Sequence, residues 1–359
     1  MALTEGKKWV LLWLWTGLIM ILVQIALGGI TRLTGSGLSI TRWDIVTGIW
    51  YPLSESDWNR HFDLYKATPQ YLKINQGMEL EQFKFIFFWE YFHRLWARIM
   101  GIVFVFPLLV FSFKKWIPSS LFRSLTIVFL LAVFVASLGW IMVASGLVDY
   151  PWVNAYKLSF HLMSAVLLIG YLFHVVIKFK GIHRPVDRSR NLSRLLSALV
   201  LLSIVQIFLG GVMAGMKAAL VAPTWPTIKG VWFPAEVFQW SSYSDYLFSE
   251  YEMTHIGPVI IQFFHRTVAY LLFVLVVWLF IHVYRKGSAA ARKQVFIFLL
   301  LCLTQVVLGI WTLIQSVGYI PLWPGVLHQF TGILFLLYGY HLKRRLDIGK
   351  SPADELARP

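Results

Sequence analysis

The chain has 359 residues, 58% of them hydrophobic and only 14% charged, against roughly a quarter charged in an average soluble domain. That balance excludes an ordinary soluble fold, and the net charge of +15 has no soluble module on which a nucleic-acid-binding face could sit. The single cysteine, Cys302, excludes a disulfide framework, a cysteine-held iron–sulfur cluster, a Cys-based zinc site and Cys-x-x-Cys-His heme attachment, and reads as inert packing.

Eight near-continuous apolar runs follow, at roughly 9–28, 87–113, 121–145, 156–178, 194–216, 258–284, 294–315 and 322–342, each long enough to cross about 30 Å of hydrocarbon. The expected fold is therefore an all-α integral membrane protein with eight transmembrane helices. The first run follows Lys7-Lys8 like a signal peptide, yet it ends at Gly28-Gly29-Ile30 without a small-x-small cleavage site, which predicts an uncleaved helix. In the long segment 29–86, Ser54-Glu55-Ser56-Asp57 predicts a helix start. Trp58, Phe62 and Tyr65 then form an aromatic stripe at helical spacing, expected to rest on the lipid headgroups and compatible with a ligand-covering lid.

Basic residues gather in alternate junctions: Lys114, Lys115 and Arg123; then Lys178, Lys180, Arg184, Arg188, Arg190 and Arg194; then Arg285, Lys286, Arg292 and Lys293. Lys7, Lys8, Lys343, Arg344 and Arg345 fall on the same side, so both termini are expected in the cytoplasm (or a matrix), facing anionic lipid. Segments 29–86 and 217–257 then lie outside.

The chain repeats itself. Val23-Gln24-Ile25-Ala26-Leu27-Gly28-Gly29 returns 182 positions later as Val205-Gln206-Ile207-Phe208-Leu209-Gly210-Gly211. At the same offset Trp43, Gly48, Trp50 and Pro52 meet Trp225, Gly230, Trp232 and Pro234. His93-Arg94 returns as His265-Arg266 after 172 positions, and Leu138-Gly139 as Leu308-Gly309. Two repeats of four helices keep one orientation, which predicts two pseudo-symmetric four-helix bundles, 1–180 and 181–359, about an axis along the membrane normal. Each half should own one equivalent site.

Of ten histidines, His93 opens the second helix and His161 sits early in the fourth, with His265 and His328 in the same places of the second half. Ionisable residues inside a membrane are functional candidates by default, and here a pair recurs in the outer membrane half. Zinc would want four N, S or O donors and copper often a sulfur, neither of which repeats beside the histidines. Heme iron needs two axial ligands, which makes each pair a candidate bis-histidine site, with propionates near Arg94, Arg98 and Arg266 unless those arginines merely snorkel. His174 and His341 follow His161 and His328 by 13 residues, but about 140° of helical rotation separates them, so a second heme per bundle is not expected. His174, His282 and His341 read as interface residues, and His61, His183 and His255 as loop residues.

The halves differ three residues before the first histidine of each pair, where Glu90 stands opposite Gln262. A carboxylate in the membrane is costly unless used or paired, so the N-terminal site is expected to react and the C-terminal one to carry electrons. The competing reading is that Glu90 only pairs with Arg94 or Arg98.

Several stretches together resemble the heme A synthase family of cytochrome oxidase assembly enzymes. They are Gly28-Gly29-Ile30-Thr31-Arg32-Leu33-Thr34 with Ser36-Gly37-Leu38-Ser39-Ile40, Glu90-Tyr91-Phe92-His93-Arg94, Gln262-Phe263-Phe264-His265-Arg266, and Gly139-Trp140-Ile141-Met142-Val143-Ala144-Ser145-Gly146-Leu147. The stretch 65–93, with Tyr65, Pro69, Tyr71, Lys73, Asn75, Gly77, Met78, Phe83 and Lys84, is similar to the long first outer loop of its alphaproteobacterial and mitochondrial branch. The likeness covers about 20–345. It departs at Pro223-Thr224-Trp225-Pro226-Thr227, where an asparagine-containing stretch is expected, and the loop cysteine pair of another branch is absent.

The resemblance implies oxidation of the C8 methyl of heme O to a formyl group, giving heme A, by successive hydroxylations and loss of water from a geminal diol. It implies that His93 and His161 serve the substrate or product heme, that His265 and His328 hold heme b, and that Glu90 takes part in catalysis. Partners then expected are heme O, the lipid bilayer, heme O synthase, other cytochrome oxidase assembly factors and an electron-transfer partner, with a homo-oligomer left open. Without a transit peptide, the expected location is a bacterial inner membrane, with the heme sites toward the periplasm. The alternative is a diheme b-type electron carrier or quinol oxidoreductase that leaves heme unmodified. A heme prenyltransferase would need an Asp-x-x-x-Asp site, which does not occur, and a transporter would show broken helices near midplane.

Overall fold

The computed structural model describes residues 5–42, 50–146, 151–182, 190–240, 243–249, 251 and 254–346; Trp43, Gly48, Leu147 and His183 lie outside the described residues. Among the described residues the backbone is helical: α1 (Glu5–Leu33), α2 (Glu55–Lys66), α3 (Pro69–Lys73), α4 (Leu80–Phe113), α5 (Ser119–Gly146), α6 (Ala155–Lys180), α7 (Arg190–Gly215), α8 (Ile256–Lys286), α9 (Ala289–Ile314) and α10 (Leu322–Arg345). Seven of them, α1 and α4 to α9, are long and apolar enough to cross a membrane. The eighth expected span coincides with α10, whose apolar content is diluted by His328, Gln329, Tyr338, Tyr340, His341 and the closing Lys343-Arg344-Arg345. The chain divides into two compact units, Met1–Phe179 and Lys180–Pro359.

In the first unit α4 starts at Leu80, well before the expected span at 87, because Glu79 and Gln82 form a capping box that opens the helix early. At 34 residues it is about 51 Å long, more than the hydrocarbon thickness. Its added turns carry Phe83 and Ile86, Phe87 follows, and α2 lays Trp58, Phe62 and Tyr65 on them; Tyr65 and Phe83 are wholly buried. The aromatic stripe thus rests on protein, where the sequence suggested headgroups. Ser54 caps α2 by accepting the Asp57 N–H, and Thr68 with Pro69 opens α3. The Tyr65 hydroxyl donates to Gln70 Oε1 at 3.0 Å and accepts from Asn75 at 2.7 Å. Gln70 in turn donates to the Gly35 carbonyl at 2.9 Å, which ties these helices to the end of α1. Burial pushes the Tyr65 phenol above its ordinary range, against the opposing Asn75 hydrogen bond.

Indole donors hold α1 to α4: Trp13 bonds the Val103 carbonyl at 2.8 Å and Trp96 the Met20 carbonyl at 3.0 Å. Trp15 meets Phe173 of α6, and Phe104 stacks with Phe129 of α5. In the second unit α7 packs on α8 and α10, and α9 packs on the same two, which closes a ring of four helices. Leu199, Leu279, Phe298 and Leu342 fill its middle, with Phe298 stacked on Phe335 at 4.5 Å. Cys302 is buried in that core, as its apolar run suggested.

Candidate functional site

Each of the four candidate histidines lies against a glycine of another helix in its own unit. A methyl group built at Gly28 of α1 would lie 3.3 Å from Nε2 of His93 on α4, and one at Gly139 of α5 would lie 2.9 Å from Cε1 of His161 on α6. In the second unit the same test gives 3.2 Å from Gly210 of α7 to His265 on α8, and 2.8 Å from Gly309 of α9 to His328 on α10. Every one of these glycines therefore leaves a space that a β-carbon would crowd, and an imidazole lies along bare backbone. His93 and His161 are near enough to interact electrostatically, and the rings of His265 and His328 stand 6.5 Å apart at 71°.

Amide side chains attend these rings. Gln24 Nε2 lies 3.0 Å from His93 Nε2 and also donates to the His93 carbonyl, while Gln206 Nε2 lies 3.1 Å from His265 Nε2. His328 Nδ1 donates to the Gln305 carbonyl at 3.1 Å, with the Gln305 amide nitrogen 3.5 Å from Nε2. Gln24 and Gln206 were visible in the sequence as part of the repeated stretch, but only the packing shows what they face.

Heme fits this donor set. Among the described residues no group of three or more His, Cys, Asp or Glu side chains comes together, so the pairs do not build a four-ligand protein cage. Two imidazoles that bind one iron through nitrogens at about 2 Å each put their centroids about 6 Å apart, close to what His265 and His328 show. The Gln24 and Gln206 carbonyl oxygens are buried without a hydrogen bond among the described residues, as expected of polar atoms grouped around a ligand site.

One turn before His93, Glu90 is 3% exposed and fully engaged. Its Oε1 pairs with Arg94 at 2.5 Å, and Oε2 accepts from the Ser39 hydroxyl at 2.7 Å and the Ile40 N–H at 2.9 Å. Arg94 also donates to the Ile40 carbonyl at 3.3 Å. The Ser36–Ile40 turn is thus held against α4 by a buried carboxylate. In the second unit Gln262 Oε1 accepts from Arg266 at 3.0 Å and its amide donates to the Ala218 and Ala222 carbonyls. Arg266 further donates to the carbonyls of Ala222, Thr224, Pro226 and Thr227. Both arginines therefore grip loop backbone, Arg94 in the turn after α1 and Arg266 in the segment after α7, a role that the sequence reading of snorkelling or propionate contact did not include.

Four of the remaining described histidines have local partners. His174 stacks on Tyr171, His282 on Trp278, and His341 leans on Tyr338, each pair within one turn of a single helix. His61 sits on α2 beside Phe87, and His255 precedes α8.

A profile described as "Cytochrome oxidase assembly protein" matches residues 11–339. This chain belongs to that family. Curated relatives described as heme A synthase include one from Mesorhizobium japonicum, 37% identical over 91% of this chain and 87% of the relative. A second, from Flavobacterium psychrophilum, is 36% identical over 92% of this chain and 96% of its own length. A third, from Pelagibacter ubique, is 38% identical over 92% of this chain and 94% of its own length. Within this assembly family the matched region takes in every one of the candidate histidines, Glu90 and both arginines.

Proposed function

We propose that the protein is a heme A synthase, an oxidoreductase that acts on the C8 methyl of heme O and delivers heme A. The observation that supports this reading is the buried carboxylate of Glu90 one turn before His93, set against the neutral Gln262 in the same place before His265. His93 and His161 take the substrate heme in the first half, 1–180, and His265 and His328 hold heme b in the second, 181–359. The iron supplies the redox chemistry when bound. Arg94 and Arg266 place positive charge beside the two sites, where propionates need compensation. α10 supplies the eighth crossing, and the two halves form pseudo-symmetric four-helix bundles with both termini cytoplasmic and the sites toward the periplasmic side of a bacterial inner membrane.

Glu90 is the proton-handling group of this reading. Its Oε2 accepts from the Ser39 hydroxyl, a hydrogen bond along which a proton can move between the two side chains. Arg94 orients the carboxylate through its ion pair. A diheme electron carrier would have no use for a costly carboxylate in one half only. Heme O synthase, further assembly factors and an electron donor or acceptor are the expected partners.

The test is to purify the protein from cells making heme O, record a reduced-minus-oxidised spectrum and extract the hemes for mass analysis. Heme b together with heme O, heme A or a hydroxylated intermediate supports the reading. Heme b alone at two per chain would replace it with the electron carrier.

A further inference from the structure

The faces of α4 and α5 that carry the first histidine site continue past it, away from Glu90, with small side chains. Ala97 and Gly101 stand four and eight residues after His93, along the same face of α4. Ala136 and Ala132 stand three and seven residues before Gly139, on the face of α5 that meets His161. All four are exposed, and a methyl group built at Gly101 would meet no atom within 4 Å. From Tyr91 to Phe113 α4 has no buried residue, and from Phe129 to Ser145 α5 has none. One turn beyond Gly101, Phe104 stacks on Phe129 of α5 with ring centroids 6.2 Å apart. The two helices thus border an apolar groove that starts at the histidine pair and ends on this aromatic floor.

The second unit fills the same place. At the offsets of the repeat, Phe273 stands for Gly101, Cys302 for Ala132 and Val306 for Ala136, while Ala97 returns as Ala269. Phe273 packs on the core in which Leu272, Val276, Phe298 and Cys302 are buried. The two sites therefore share their pair of imidazoles and differ in the room beyond it.

The two hemes of the proposed reaction differ in the same respect. Heme O carries a hydroxyethylfarnesyl chain where heme b has a vinyl group, on the edge of the macrocycle opposite the propionates. Arg94 reaches toward Glu90 and the Ile40 carbonyl, so propionates compensated there turn that chain the other way, past His93 toward Ala97 and Gly101. The C8 methyl neighbours a propionate on the ring, which leaves it at the Glu90 end. We propose that the groove between α4 and α5 seats the isoprenoid chain of the substrate, and that Phe273 denies such a chain to the second site, so that the room beyond each histidine pair decides which heme that half takes. This rests on the reading of the protein as a heme A synthase.

The experiment uses full-length protein purified from cells making heme O. Its hemes are extracted and separated by chromatography, and the protein is then titrated with heme O and with hemin, which has no isoprenoid chain. Native protein should carry farnesylated heme beside heme b and prefer heme O to hemin at its first site. Gly101→Phe and Ala132→Phe, which fill the groove as Phe273 fills its counterpart, should each cut that preference about tenfold or more, with hemin binding and heme b content retained. Ile102→Phe, at the next position along α4 where the side chain is 67% exposed, should keep the native preference. An undiminished preference for heme O in both filled variants would overturn the proposal and leave the groove to a lipid acyl chain. Equal loss of heme O and hemin in both would overturn it as well, because the groove would then matter to the whole site and not to the chain. Native protein with two hemes b per chain and no farnesylated heme would instead sink the heme A synthase reading beneath it.

Discussion

Arg94 holds Glu90 as Arg266 holds Gln262, four residues on along the same helix, so that the second unit keeps the geometry of the first and drops its charge. Ser39 and the Ile40 N–H complete the Glu90 shell, whereas Gln262 spends its amide on two loop carbonyls. Glu90→Gln converts the first arrangement toward the second. The expected outcome is a protein that still carries both hemes but forms no aldehyde, read by mass analysis of extracted heme. Full aldehyde yield in this variant removes Glu90 from the mechanism.

The glycine cradles predict a graded series. At Gly309 and Gly139 an added methyl would lie 2.8 and 2.9 Å from the facing imidazole, so the ring or the helix must move. At Gly28 and Gly210 the distances are 3.3 and 3.2 Å, and a shift of a few tenths of an ångström suffices. Gly309→Ala should therefore lower heme b content sharply while Gly210→Ala leaves most of it, measured as heme b per protein. Equal losses at both positions would mean that the imidazoles do not depend on this close approach.

Histidines, glycines and the Glu90–Gln262 contrast were legible because the chain writes them twice, and a recurrence across 172 positions survives without any knowledge of packing. Gln305 escaped because what it meets is a tertiary arrangement: its side-chain partner, Thr331, is 26 residues away on the next helix and belongs to no repeated stretch. The early start of α4 was missed for a local reason. Its first turns, with Glu79, Glu81, Gln82 and Lys84, read as polar loop, and only the capping box turns that polarity into a helix start. Once α4 reaches out, it offers α2 an apolar seat that lipid headgroups cannot match.

Tyr65 should make α2 and α3 sensitive to alkali. Its phenol is wholly buried, bonded to Gln70 and Asn75, and pushed above the ordinary tyrosine range chiefly by burial. A group whose folded pKa is raised contributes stability that is present below its unfolded pKa, about 10, and lost as pH rises through the folded value. Native protein should accordingly hold this segment from neutral pH to about 10 and loosen above it. In Tyr65→Phe that added alkaline step should disappear, at a uniform cost of about 1–3 kcal/mol for the stranded partners. Protease accessibility of residues 51–75 across pH reads both effects, and an unchanged alkaline transition in Tyr65→Phe would assign it elsewhere.

Arg94 and Arg266 should respond differently to removal although they sit in matching places. Arg94→Ala strands a carboxylate that is 3% exposed, and an uncompensated buried charge is costly even with the Ser39 and Ile40 donors left in place. Arg266→Ala strands only neutral groups, the Gln262 amide and the carbonyls of Ala222, Thr224, Pro226 and Thr227, of which Thr224 and Pro226 belong to exposed residues. Arg94→Ala should thus lower thermal stability by several kcal/mol, and adding Glu90→Gln to it should recover much of the loss because the stranded charge is gone. No such recovery is expected when Gln262→Leu is added to Arg266→Ala. Thermal melting of the four proteins decides this: recovery in both pairs, or in neither, would show that the Glu90 charge does not set the cost.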